Sequence, residues 1–169
     1  MPLFLLESFM LVYEINLKEE DEIILKLDDL YSRCEELLNK FENDPRIKQE
    51  MVGKEVIKLI AQQTDLIICY TMILPEVVAM GDLIDAFIKK VAAVIQKNLN
   101  ASSHKALGER EMMRLIEGDS KMLQWLQHRA QINQFELHFK TIQQLLVSRG
   151  FALRSICEAH IHDKSEVII

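Results

Sequence analysis

Along residues 17–43 apolar side chains return at alternating steps of four and three: Ile23, Leu27, Leu30, Cys34, Leu37 and Phe41. That spacing places them on one face of a helix, and Ile24, Tyr31 and Leu38 widen the face. The pattern predicts a first helix from Leu17, with Asn16 as its N-cap and Glu19, Glu20 and Asp21 in the electropositive first turn. Asn43-Asp44-Pro45 ends it, because proline disfavours a helical residue before it and suits a helix start. A second helix is expected from Pro45 to Leu74, amphipathic at first (Ile47, Met51, Ile57, Ile60) and then apolar on nearly every side, with Pro75 breaking or kinking it. A third follows to Lys97, with Val77, Met80, Ile84, Phe87, Val91 and Val94 on one face. Asn98 to Ser103 has loop composition, and Ala106 to Glu117 reads as a shorter helix. Gly118-Asp119 is a stop followed by a fresh N-cap.

The clearest periodicity lies between Ser120 and Arg149. Trp125, His128, Ile132, Phe135, Phe139, Ile142 and Leu146 keep a strict alternation of three and four, as in a coiled-coil seam. Gly150 is placed to stop this helix in a left-handed conformation. Phe151 then folds back as an apolar contact and opens a short terminal helix, while Arg149 sits at a helix C-terminus that favours its charge. The expected fold is all-α, a multi-helix bundle with a long C-terminal helix and a short terminal helix. Its strict seams are also suited to oligomer contacts.

Composition agrees with a folded helical chain. Apolar residues make up 49% and charged residues 27% of 169, and five Gly with three Pro leave few chain breakers. Charge changes the picture more. Residues 1–99 hold eleven Lys/Arg against eighteen Asp/Glu, whereas residues 100–169 hold nine against eight and all five histidines. The chain therefore divides into an acidic segment 1–99 and a near-neutral segment 100–169, expected to form one compact unit. A nucleic-acid contact is not expected on the acidic first helix.

Cys34, Cys69 and Cys157 have no paired spacing and read as reduced thiols of a cytoplasmic protein. Pro2 to Tyr13 lacks a basic n-region and a cleavage site, and suits a short strand or an arm packed on a neighbour. Leu66 to Met80, the most apolar stretch, is interrupted by Pro75-Glu76 and falls short of the roughly 20 residues of a membrane span, so no membrane partner is expected.

Catalytic motifs are missing. The sequence has no G-x-x-x-x-G-K-[ST], no G-x-G-x-x-G and no H-E-x-x-H, and neither a catalytic site, a cofactor nor a metal is expected. His160-Ile161-His162-Asp163 reads as a solvated tail rather than a metal site, and His128 as a hydrogen-bonded seam residue. Arg154 and His160 match the spacing of the late Arg-x(4–6)-His motif of HEPN-class ribonucleases, in which the Arg binds phosphate and the His transfers a proton. Ser155 stands where that class favours Asn, Asp or His.

A longer pattern runs through Glu111-Met112, Leu115-Ile116, Asp119, Met122-Leu123 and Ser148-Arg149-Gly150-Phe151-Ala152-Leu153 to Ile156. It resembles, without a gap, the C-terminal half of the UvsY-type recombination mediators of large tailed phages. Upstream, Leu30-Tyr31-Ser32-Arg33 and Ile47-Lys48-Gln49-Glu50-Met51 resemble that family's N-terminal helical segment, whereas Leu66 to Gln96 has no counterpart. The resemblance covers about 45 residues well and about 30 more weakly.

The resemblance implies an all-helical, non-enzymatic protein that assembles into a homo-oligomeric ring through its C-terminal region. Such a protein binds single-stranded DNA and helps to load a phage recombinase onto strands covered by single-strand-binding protein. Phe135, Phe139, Ile142, Leu146, Gly150 and Phe151 are the expected oligomerisation residues. The family's basic Lys-Ala-Arg segment is not kept, since its cationic positions fall on Gln63 and Asp65. Lys54 and Lys58 lie nearby, and the remaining candidate DNA contacts are Arg110, Arg114, Lys121, Arg129, Arg149 and Arg154. The alternatives are the ribonuclease pair and a helical adaptor that binds no nucleic acid.

Overall fold

The computed structural model describes residues 3–49, 55–102 and 108–165, with side chains described from residue 18 onward and up to residue 161. It is all-helical, and no strand occurs among the described residues. The helices are α1 (Leu3–Asn43), α2 (Pro45–Lys48), α3 (Glu55–Thr71), α4 (Leu74–Ser102), α5 (Glu109–Glu117) and α6 (Ser120–Ser165). Internal contacts divide the chain into Met1–Asp44 and Pro45–Ile169. The charge boundary at residue 99 falls inside α4.

The first unit is α1 alone. The helix does not begin at Leu17 but runs unbroken from Leu3, so Asn16 caps nothing and the stretch before Tyr13 is helical rather than a strand. A cap at Asn16 is favoured only if the preceding residues leave the helix, and Phe4 to Tyr13 contains no Gly or Pro to make them do so. Among the described side chains of α1, the buried ones are Glu20 and the seam residues Ile23, Leu27, Leu30 and Cys34. Its C-terminus is closed by local bonds: the Asn43 side-chain amide donates to the Asn39 carbonyl at 2.9 Å and the Asp44 N–H to the Phe41 carbonyl at 3.3 Å.

In the second unit α3, α4, α5 and α6 pack together, with α3 and α4 forming one arm along α6. The second helix expected over 45–74 is instead the single turn α2 and then α3 from Glu55. Between α3 and α4 only Met72 and Ile73 leave the helical path. Pro75 is the second residue of α4, where its missing N–H breaks no helical bond. The N–H groups of Glu76 and Val77 both reach the Ile73 carbonyl, at 3.1 and 3.0 Å. The third helix extends past Lys97 to Ser102, so residues 98–102 are helical rather than loop, and Ser103 lies outside the described residues.

The junction between α5 and α6 forms as its sequence suggests. Gly118 closes α5 in a right-handed conformation (φ −84°), donating to the Arg114 carbonyl at 3.0 Å. Asp119 then caps α6, its Oδ1 accepting from the N–H groups of Lys121 (2.9 Å) and Met122 (3.3 Å).

Along the arm and α6 the pairing is antiparallel. Val56 and Leu59 meet Leu153, Gln63 meets Leu146, Asp85 meets Arg129 and Phe87 meets Trp125. The main correction to the sequence expectations lies in this pairing. Helix α6 does not stop at Gly150; it continues for fifteen residues to Ser165, and no separate terminal helix occurs among the described residues. Gly150 has no left-handed backbone, Phe151 does not fold back but is 63% exposed, and Arg149 is not at a helix end. The reason is the seam itself. Leu153 continues the seven-residue spacing of Ile132, Phe139 and Leu146, and is fully buried against Val56 and Leu59. Burying a leucine is worth about 1.5–3 kcal/mol, more than the roughly 1 kcal/mol that a mid-helix glycine costs.

Candidate nucleic-acid interface on α3, α5 and α6

The arm and α6 meet at two joints of similar design, each with a glycine on one helix beneath a long polar side chain from the other. At the first joint Gly81 of α4 lies under Arg129 of α6, and a Cβ on Gly81 would stand 2.9 Å from Arg129 Nη1. Arg129 is satisfied there: its Nε donates to Asp85 Oδ1 at 2.8 Å and its Nη1 to the Asn133 side chain. The hydrogen bond to Asp85 raises the pKa of an already permanently charged guanidinium. Beside it Trp125, 1% exposed, packs on Phe87 with ring centroids 4.5 Å apart and on His128 at 5.6 Å.

At the second joint Gly150 of α6 lies under Gln63 of α3. A Cβ on Gly150 would come within 3.3 Å of Gln63 Cγ, so the glycine serves close approach and not a turn. Gln63 is 7% exposed and its Nε2 donates to the Leu146 carbonyl, but its Oε1 is buried with no hydrogen-bond partner. Such an atom costs about 1–3 kcal/mol. Next to this joint a half-open groove of about 130 Å³ runs between α3 and α6, lined on one side by Gln63 and Thr64 and on the other by Phe151 and Arg154. Phe151 and Arg154 are both exposed.

The eight cations expected to contact DNA separate into classes. Lys58, Arg110, Arg114 and Arg154 are exposed. Arg110 and Arg114 lie one turn apart on α5, among Glu109, Glu111 and Glu117. Arg129 is engaged by Asp85 and Asn133, and Arg149 Nη2 donates to the Arg46 carbonyl at 2.6 Å, so both have structural duties. Lys121 is half-buried and also has an interaction within the chain. Lys54 lies outside the described residues. Of the two positions at which the resembled family is basic, Gln63 is buried in the second joint and Asp65 is exposed.

The expected oligomerisation residues need a similar correction. Phe135, Phe139, Ile142 and Leu146 are between 0% and 7% exposed, so they belong to the core of the chain and present no surface. Gly150 is occupied by Gln63, and of that set only Phe151 is open. A second seam does reach the surface of α6. Leu123, Leu126, Ala130, Asn133 and Leu137 repeat the three-four alternation on an exposed face, with Leu123 47%, Leu126 41% and Leu137 65% exposed. That alternation is visible in the sequence but is overshadowed there by the stronger aromatic seam two residues further on.

Arg154 and His160 are both on α6 and both exposed. Six helical residues separate them by about 9 Å along the axis and about 120° around it, so the two side chains leave different faces of one helix. Among the described residues no group of three or more His, Cys, Asp or Glu is placed to hold a metal ion, and all three cysteines are free thiols, with Cys34 buried. The segment Glu55–Ala101 contains one stretch long and apolar enough to cross a membrane, with a third of it buried. Comparison with protein-family models finds no match for this chain, and comparisons with curated proteins and with solved structures find none either.

Proposed function

We propose that the protein is a recombination mediator: a homo-oligomeric, non-enzymatic binder of single-stranded DNA that helps to load a phage recombinase onto strands covered by single-strand-binding protein. The observation that carries this is the ungapped resemblance from Glu111 to Ile156, which spans α5, the Asp119 cap and most of α6. The side chains in that match have consistent duties. Met112, Ile116, Met122 and Leu153 are buried, Asp119 caps, and Gly150 admits Gln63.

Exposed cations at Lys58, Arg110, Arg114 and Arg154 supply phosphate contacts, each weak by itself. Repeated around an oligomer, such sites act through effective concentration, so a strand held at one subunit is quickly held at the next. A strand wrapped in this way is presented to the recombinase while the covering protein loosens. With Phe135, Phe139, Ile142 and Leu146 enclosed in the chain, subunit contacts fall to the exposed α6 face around Leu123, Leu126 and Leu137. The cytoplasm is the compartment this activity requires, and the apolar α3–α4 arm serves as the packing partner of α6 rather than as a membrane anchor.

The test is mass in solution measured together with binding of a labelled single strand. The expected result is an oligomer whose affinity for the strand falls steeply between 50 and 200 mM salt, both being conditions of the experiment. A monomer that ignores DNA at low salt contradicts the proposal.

A further inference from the structure

We infer that the groove between α3 and α6 holds one base of a bound single strand, stacked on Phe151, with its phosphate on Arg154. This rests on the single-strand reading above and gives that reading a site. Four features converge on it. Phe151 is an aromatic ring left 63% exposed in the middle of a long helix, with Val147 one turn before it as its apolar neighbour in the groove. Base stacking on such a ring is tolerant of sequence, as a mediator requires. Arg154, three residues on, lines the same groove, is exposed and has no ion pair among the described residues, so its charge is available to a phosphate.

Gln63 supplies the third feature. It lines the groove, is more than nine-tenths buried, and keeps an Oε1 acceptor without a hydrogen-bond partner. That acceptor is closed to solvent, and every base, purine or pyrimidine, carries an N–H donor that would satisfy it once the amide turns toward the groove. The fourth is size. The groove measures about 130 Å³ and is half open, so it takes the edge of one base while the rest of the base stays outside. The site also answers a difficulty raised by the sequence. Where the resembled family is basic this chain has Gln63 and Asp65, and the groove converts the first of these from a lost phosphate contact into a contact with the base edge.

The experiment compares three strands of equal length, all-thymidine, all-adenosine and abasic, binding to the full chain and to Phe151→Ala, Phe151→Tyr and Arg154→Ala. Circular dichroism checks that each variant keeps its helix content. The expected result is that Phe151→Ala weakens the thymidine strand about tenfold, leaves the abasic strand unchanged, and is rescued by Phe151→Tyr. The same variant weakens the adenosine strand to a similar extent. Arg154→Ala weakens all three strands and lowers the salt dependence by about one phosphate contact. If the unaltered protein binds the strands but Phe151→Ala changes thymidine and abasic binding alike, the base site is overturned while the mediator reading stands. If the unaltered protein binds none of them, both fall together.

Discussion

The two joints between the α3–α4 arm and α6 use the same device to different ends. At Gly81 the opposing side chain is Arg129, which finds Asp85 and Asn133 and is closed in beside the Phe87–Trp125 pair. At Gly150 the opposing side chain is Gln63, whose amide is only half satisfied and which borders an open groove. At the first joint the guanidinium is paired, while the buried Trp125 Nε1 beside it has no hydrogen-bond partner; at the second a ring and a cation stay exposed beside a buried acceptor that is likewise unpartnered. The first joint thus sits beside a fully buried indole, and the second borders the groove proposed above to take a base.

The sharpest way to break this comparison is to empty the closed joint. Trp125→Ala removes a fully buried indole and should cost about 3–5 kcal/mol in chemical denaturation. Phe151→Ala at the open joint should cost less than about 0.5 kcal/mol, because the ring is mostly in solvent already. Equal losses at the two would erase the distinction. The next largest effect is expected from Gly150→Val. Its Cβ meets Gln63 Cγ at 3.3 Å before the γ-methyls are counted, and the resulting overpacking should destabilise by about 1–3 kcal/mol. If Gly150→Val instead stabilised the chain, the close approach to Gln63 would be refuted.

How far the sequence discloses this arrangement differs between residues. Seam positions such as Leu27, Ile84, Trp125 and Phe139 are legible because period alone puts them on one face, and all four are buried. Asp119 is legible because an Asx cap needs only local geometry. Gly150 is misleading for a physical reason. A glycine followed by an aromatic has the composition of a helix stop, and nothing in the local sequence reveals that Gln63, 83 residues before Leu146, occupies the space beside it. The same holds for Arg129 and Arg149, which look like surface cations until Asp85 and the Arg46 carbonyl are brought to them. Sequence periodicity identifies a face but not its occupant, so Phe135 and Phe139 suggested an interface when they form the core.

Smaller effects refine the contrast. Arg129→Ala removes an ion pair whose Asp85 partner is 45% exposed, so solvent screening limits the loss to about 1 kcal/mol or less, and high salt should shrink it further. Thermal melts of this variant in low and high salt provide the measurement, and a loss independent of salt would assign Arg129 a packing role instead. Gln63→Leu should change stability least, within about 0.5 kcal/mol, because it removes a hydrogen-bonded donor and an unsatisfied acceptor together. A large destabilisation by Gln63→Leu would mean that the second joint is as structural as the first.

The most direct test of the account is the slope of log affinity against log salt for a single strand, compared between the unaltered chain and the Lys58→Ala/Arg154→Ala double variant. Each lost phosphate contact on a single strand lowers the slope by about 0.7, so the double variant should lower it by about 1.4 at unchanged helix content. An unchanged slope, or no binding to the strand even at low salt, would contradict the central claim that the open face of this helical hairpin is a nucleic-acid surface.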